Sequence, residues 1–116
     1  MLLDVNNVYV TCRNVGGDPR TWIEALPVES VHELHLAGHC VNDADGESIL
    51  IDDHGSAVAP AVWDLFDRTI RRFPRAATLI EWDSNLPPLR TLVAEATEAQ
   101  SRCRTAFAEA CHADAA

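Results

Sequence analysis

The sequence predicts a parallel α/β fold amounting to half of a (β/α)8 TIM barrel, with about four parallel strands and helices along their outer side. Short apolar runs alternate with segments whose apolar residues recur every three or four positions. The runs are apolar on both faces, as strands of a covered parallel sheet are. A closed barrel takes eight strands and roughly 250 residues, and this chain has 116.

Residues 1–10, MLLDVNNVYV, read as a buried strand interrupted by a polar tip at Asp4, Asn6 and Asn7. Asp18 followed by Pro19 is an N-cap with proline at the first helical position, opening a short helix over 19–26 that Pro27 stops. VHELHLA, residues 31–37, is a second strand, in which Glu33 and His35 share one face and His32 and Leu34 the other. GHCVNDADGES is a loop, SILID (48–52) a third strand, and Asp53 to Ser56 a turn. Pro60 opens a helix to residue 73 with Val62, Leu65, Phe66, Ile70 and Phe73 inward and Asp64, Asp67, Arg68, Arg71 and Arg72 outward. ATLIEW, 77–82, is the fourth strand, apolar until Glu81. A long helix from Pro87 to about Ala110 carries Leu89, Leu92, Val93, Ala96, Cys103 and Phe107 on one side. With no internal repeat or linker, residues 1–111 form one partial barrel domain and 112–116 a disordered tail.

Eighteen acidic side chains against nine basic ones, all of them arginine, give a formal charge of −9. That balance argues against a nucleic-acid partner and against docking on an anionic membrane, since both need clustered cations. No basic leader or long apolar span is visible, so a cytoplasmic protein is expected. Cys12, Cys40, Cys103 and Cys111 form no C-x-x-C pair and read as idle thiols.

Catalytic side chains of a parallel barrel stand at the carboxyl ends of its strands. Each expected strand here ends in a metal-competent group: Asp4 and Asn7 after the first, His35 in the second, Asp52 and His54 after the third, Glu81 after the fourth. Oxygen and imidazole donors without thiolate suit iron, manganese or zinc. Each also has a plainer explanation, Asp4 or Asp52 as an Asx-turn or helix cap and His35 as a core histidine. Glu81 is harder to explain so, because a carboxylate inside TLIEW has to be paired, protonated or metal-bound.

Five ordered motifs, LLDVNNVYV, HELHLAGH, LIDDHGSAV, PAVWDLF and TLIEWDSNLPPL, resemble the carboxyl-terminal half of the multinuclear non-haem iron oxidative enzymes, the family of the methanobactin-biosynthesis enzyme MbnB. The resemblance runs from Met1 to about residue 95. It implies a TIM barrel related to xylose isomerase and endonuclease IV. It also implies two or three irons and oxidative modification of cysteine residues in ribosomally made peptides, with a partner protein presenting the precursor. Asp4, Asn7, His35, Asp52, His54 and Glu81 are then the expected iron ligands or their neighbours, with His39 a secondary candidate. The family's first strands have no counterpart here, so the chain reads as truncated and inactive alone, needing a missing amino-terminal half or self-association. Two other readings compete: a non-catalytic remnant or half-barrel interaction piece, and a metal-dependent phosphodiesterase of endonuclease IV type, which the acidic charge disfavours.

Overall fold

The computed structural model describes residues 1–115, with side chains through Ala113. Strand β1 (Leu2–Asp4) passes directly into helix α1 (Val5–Val15), followed by α2 (Pro19–Glu24) and strand β2 (Glu33–Leu36). Strands β3 (Cys40–Asn42) and β4 (Ile49–Ile51) flank a 3-10 turn, Ala44–Gly46. Helix α3 (Pro60–Arg72), strand β5 (Ala77–Ile80) and helix α4 (Leu89–Ala115) complete the chain.

The parallel sheet has three strands in the order β1-β2-β5, with Asp4 beside His35 and His35 beside Leu79. The fourth expected strand, SILID, is not in it: β4 pairs antiparallel with β3 in a separate ribbon, Cys40 opposite Ile51. β3 lies inside GHCVNDADGES, which its Gly, Asn and Asp content marked as loop. The ribbon is exposed on both strands, so it lacks the one-sided burial from which pairing direction can be read. The described residues form no closed barrel; the fold is α/β with a small parallel sheet and helices.

Residues 5–10, expected as strand, are the first half of α1. Asp4 caps that helix, its Oδ1 accepting from the Asn7 backbone amide at 2.9 Å. Val5, Val8 and Cys12 are buried at helical spacing, and the β-branched residues settle for helix because that face packs. Gly16 ends it at φ 86, donating its N–H to the Cys12 carbonyl. Asp18 and Pro19 start α2 as expected, although it stops at Glu24.

Register divides the sheet into two unlike faces. Leu3, Leu34 and Leu36 point to the helices and are buried, together with Val62, Phe66 and Ile70 of α3; each such side chain contributes roughly 1.5–3 kcal/mol. Leu2, Asp4, Glu33, His35 and Leu79 share the opposite face by the same register. Among the described residues no helix covers that face, and Leu2 and Leu79 are about half exposed there.

Helix α4 docks through small residues, Ala99 and Ala106, and through Arg102, which bonds Asp67 and Glu98 at 2.7 Å each and lies over the Trp63 ring. The expected stripe is not the buried one: Leu89, Val93 and Phe107 are exposed. Leu92, Val93, Ala96 and Cys103 instead border a groove of about 700 Å³ along the free edge of β5. α4 also continues through Ala115 instead of fraying after Ala110; of the expected tail, residue 116 lies outside the described residues. Among those residues no helix is long and apolar enough to cross a membrane.

Glu95 of α4 accepts the Val58 backbone N–H at 2.9 Å, just before α3, while its Oε1 is buried without a partner. Burial pushes this carboxyl above its ordinary range despite that bond. A raised carboxyl pKa means the folded state keeps its proton to higher pH, so stability falls as pH rises from the unfolded value, about 4.3, through the folded one. Glu95→Gln removes that fall: thermal unfolding should show it melting above the parent at pH 7, the difference narrowing toward pH 4. A melting difference between Glu95→Gln and the parent that stays the same from pH 4 to pH 7 would contradict the assignment.

Candidate metal centre

The carboxyl ends of β1, β2 and β5 share a direction, and the segment after the β3–β4 ribbon folds back over them. His54 is fixed there by its own N–H to the Gly38 carbonyl, 3.1 Å, and by its carbonyl to the Asp83 N–H, 2.7 Å. Its φ of 51 is left-handed, a conformation worth about 1–3 kcal/mol of strain for a non-glycine residue and common where a side chain must be aimed.

The six expected residues join one network. His54 Nε2 lies 2.9 Å from Asp52 Oδ1 and 3.5 Å from Asp4 Oδ2. Asn7 donates to Asp52 Oδ2 at 3.0 Å. Glu81 spans two imidazoles, Oε1 at 3.0 Å from His35 Nδ1 and Oε2 at 3.2 Å from His54 Nδ1. His39 enters through its Nδ1, 2.8 Å from Asn6 Oδ1, and is stacked on Tyr9.

Three further residues belong to the network and were not among the expected site residues. Glu33 Oε1 holds His35 Nε2 at 2.8 Å; strand alternation placed it on the same face as His35 and was the available signal. Asp83 Oδ2 lies 3.2 Å from His54 Nδ1 but is largely exposed. Asn6 is fully buried and donates to Asp52 Oδ1 and, at 3.2 Å, to the Gly38 carbonyl. Reading α1 as a helix from Asp4 would have placed Asn6 and Asn7 in its first turn.

Burial pushes the Asp4 carboxyl up, and the charges of Asp52 and Glu81 add to this against the Asn7 amide and His54. Burial alone would lower His54, but Asp52, Asp4, Glu81 and Asp83 together outweigh it and hold the imidazole above its ordinary value. His39 has its pKa lowered by burial against the pull of Asp52 and Asp53.

The residues fit a cation. Asp4, Asp52 and His54 each offer a ligand atom, all within 4.8 Å of one another; donors about 2.1 Å from one ion sit roughly 3–4 Å apart. His54 Nδ1 is buried and, although Glu81 and Asp83 are near, neither is aligned to hydrogen-bond it. Buried polar atoms are rarely left so.

Residues 1–104 match the family described as RiPP precursor modification enzyme MbnB/TglH/ChrH. The chain belongs to this family. UPF0276 proteins are similar to it: one from an Anaeromyxobacter species is 50% identical over 99 residues, covering 85% of this chain and 34% of that protein. One from Bordetella parapertussis is 50% identical over 96 residues (82% and 33%), and one from Acaryochloris marina 44% identical over 101 (87% and 35%). The chain thus spans about a third of the length of the curated relatives it matches.

In this member of the MbnB/TglH/ChrH family, Gly38 is where the network and the fold meet. A Cβ there would stand 2.1 Å from the Ser56 backbone oxygen, while the Gly38 carbonyl takes both the His54 and Asn6 bonds. Gly38→Ala should cost about 1–3 kcal/mol in urea unfolding, as overpacking does, and shift the His54 backbone amide resonance. Unchanged stability would show that the contact relaxes freely.

Proposed function

We propose that the chain supplies the ligand-bearing carboxyl-terminal half-barrel of an iron-dependent oxidative enzyme that modifies cysteine residues of ribosomally made precursor peptides in the cytoplasm. The observation that carries this is the Asp4, Asp52 and His54 cluster, in which His54 Nε2 faces both aspartates while its buried Nδ1, without a hydrogen bond, faces Glu81 and Asp83, in a chain of a RiPP precursor modification family. Asp4, Asp52 and His54 would hold one ion, and Glu81, His35, Asn7 and His39 provide donors toward a set of two or three. Iron, when bound, supplies one-electron oxidation of the substrate thiolate with dioxygen as oxidant.

The chain's own residues do the rest. Asp4 Oδ1 is committed to the helix cap, which leaves Oδ2 for the site. The Asn7 amide holds the far oxygen of Asp52. Glu33 holds His35 Nε2 and so turns the other ring nitrogen, Nδ1, toward Glu81 and the site. The uncovered face of the sheet supports the second part of the proposal: remaining barrel strands, from another segment or a second copy, complete the pocket, and a partner protein presents the peptide. A half-barrel whose only role is to associate is the second reading, favoured by that same face.

The purified chain should retain ferrous iron weakly after anaerobic loading and desalting, and Asp52→Ala or His54→Ala should retain none. Iron retention equal in parent and variants would sink the metal reading. With oxygen, a cysteine peptide and its presenting partner, mass spectrometry should show no peptide mass shift, because open coordination positions and unsupported ligands forfeit geometry at about a hundredfold in rate per ångström. A shift lost in Glu81→Ala would prove the lone chain competent. Sedimentation velocity should show self-association through the uncovered face, reduced by Leu79→Glu; a concentration-independent monomer would argue against it.

A further inference from the structure

We propose that Asn6 is a positioning residue that sets two site side chains at once: it locks the Asp52 carboxylate in place and fixes His39 in its Nδ1–H form. Its hold on Asp52 matters for metal only if the reading above is right, whereas its hold on His39 does not depend on that reading.

The argument is one of donor and acceptor counting. Asn6 is fully buried, so each polar atom of its amide needs a protein partner. One end of the amide faces the Gly38 carbonyl and Asp52 Oδ1, and neither of these has a proton to give when the carboxylate is ionised. That end must be the NH2, with both hydrogens used. The other end is therefore the oxygen, which only accepts. It lies 2.8 Å from His39 Nδ1, so that nitrogen carries the hydrogen. Neutral His39 then presents an unprotonated Nε2.

The ring cannot easily escape this arrangement. His39 stacks on Tyr9 with centroids 5.4 Å apart, and its carbonyl accepts the Ser56 hydroxyl at 3.2 Å. Asp52 is pinned in turn. Asn6 bonds one of its oxygens and Asn7 the other, so rotation of the carboxylate breaks both bonds. The two amides are not equivalent, because Asn7 is exposed and water can replace it, while Asn6 is sealed. Partners that orient a ligand from behind are typically worth 10–100-fold in metal affinity.

Histidine-labelled full-length chain, examined by long-range proton–nitrogen NMR, should show His39 as the Nδ1–H tautomer. Asn6→Ala should lose that signature and weaken ferrous iron binding about 10–100-fold by anaerobic titration. Asn6→Leu, close in volume and without polar atoms, removes both bonds, so it should lose the tautomer and the affinity together. This variant decides the matter if Asn6→Ala fails to fold. Asp52→Asn should lose iron while His39 stays Nδ1–H, which separates failure of the metal reading from failure of this proposal. An Nε2–H tautomer in the parent, or iron affinity unchanged in both Asn6 variants of an iron-binding parent, would overturn it. A parent that binds no iron would overturn the Asp52 half, leaving the tautomer to decide the His39 half.

Discussion

Strand β1 enters helix α1 with no residue between them, and the arrangement of the site depends on how Asp4 makes that junction. Its backbone is still extended, at φ −89 and ψ 106, and pairs with His35 in the sheet. Its side chain already caps the helix through the Asn7 amide. A longer linker would separate these two duties. Without one, the first turn of α1 stands at the rim of the sheet, with the Asn7 N–H on Asp4 and two consecutive asparagine side-chain amides on Asp52. A helix N-terminus carries about half a positive charge, which offsets part of the repulsion among the carboxylates.

That offset is needed. Asp4, Asp52, Glu81 and Asp83 all approach His54. Two like charges about 4 Å apart repel by roughly 1 kcal/mol in water and 4 at an effective dielectric of 20. Partial burial deepens the problem for Asp4, whose carboxyl is pushed up mainly for that reason. The strained backbone at His54 belongs to the same balance. It carries one imidazole into the middle of the carboxylates, and the two backbone bonds to Gly38 and Asp83 hold it there.

Which parts of this were legible in the sequence follows from what each residue type constrains. Strand direction did most: once β1, β2 and β5 are parallel, Asp4, His35 and Glu81 must end at one rim, whatever the helices do. Asp4 also shows that two readings of one residue need not compete, since it is a helix cap through one oxygen and a site carboxylate through the other. Val5 to Val10 misled because β-branched residues favour strands as peptides, while here a capped, packed face decides for helix. β3 and β4 escaped for the opposite reason, being polar and exposed, with pairing set by backbone bonds alone. Asn6 was visible only as part of a polar tip, because its role is defined by three partners far away in sequence. Nothing local distinguishes it from Asn7.

The two faces of the sheet divide folding from chemistry. Leu3, Leu34 and Leu36 bind the helices and supply the apolar burial, whereas Glu33, His35 and Asp4 line the side that no helix among the described residues covers. Carboxylates cannot be sealed by an apolar layer without a large penalty, so whatever covers this side must bring counter-charge or donors of its own. It must also cover Leu2 and Leu79, which are exposed among those polar groups. A cover meeting both demands has apolar strand residues beside histidines or a bound cation, which is the composition of another piece of the same kind of sheet. Asp4 and His35 stand on this same face beside Leu2, so any contact that buries the leucines must also meet the charges, and apolar packing and charge compensation cannot be separated there.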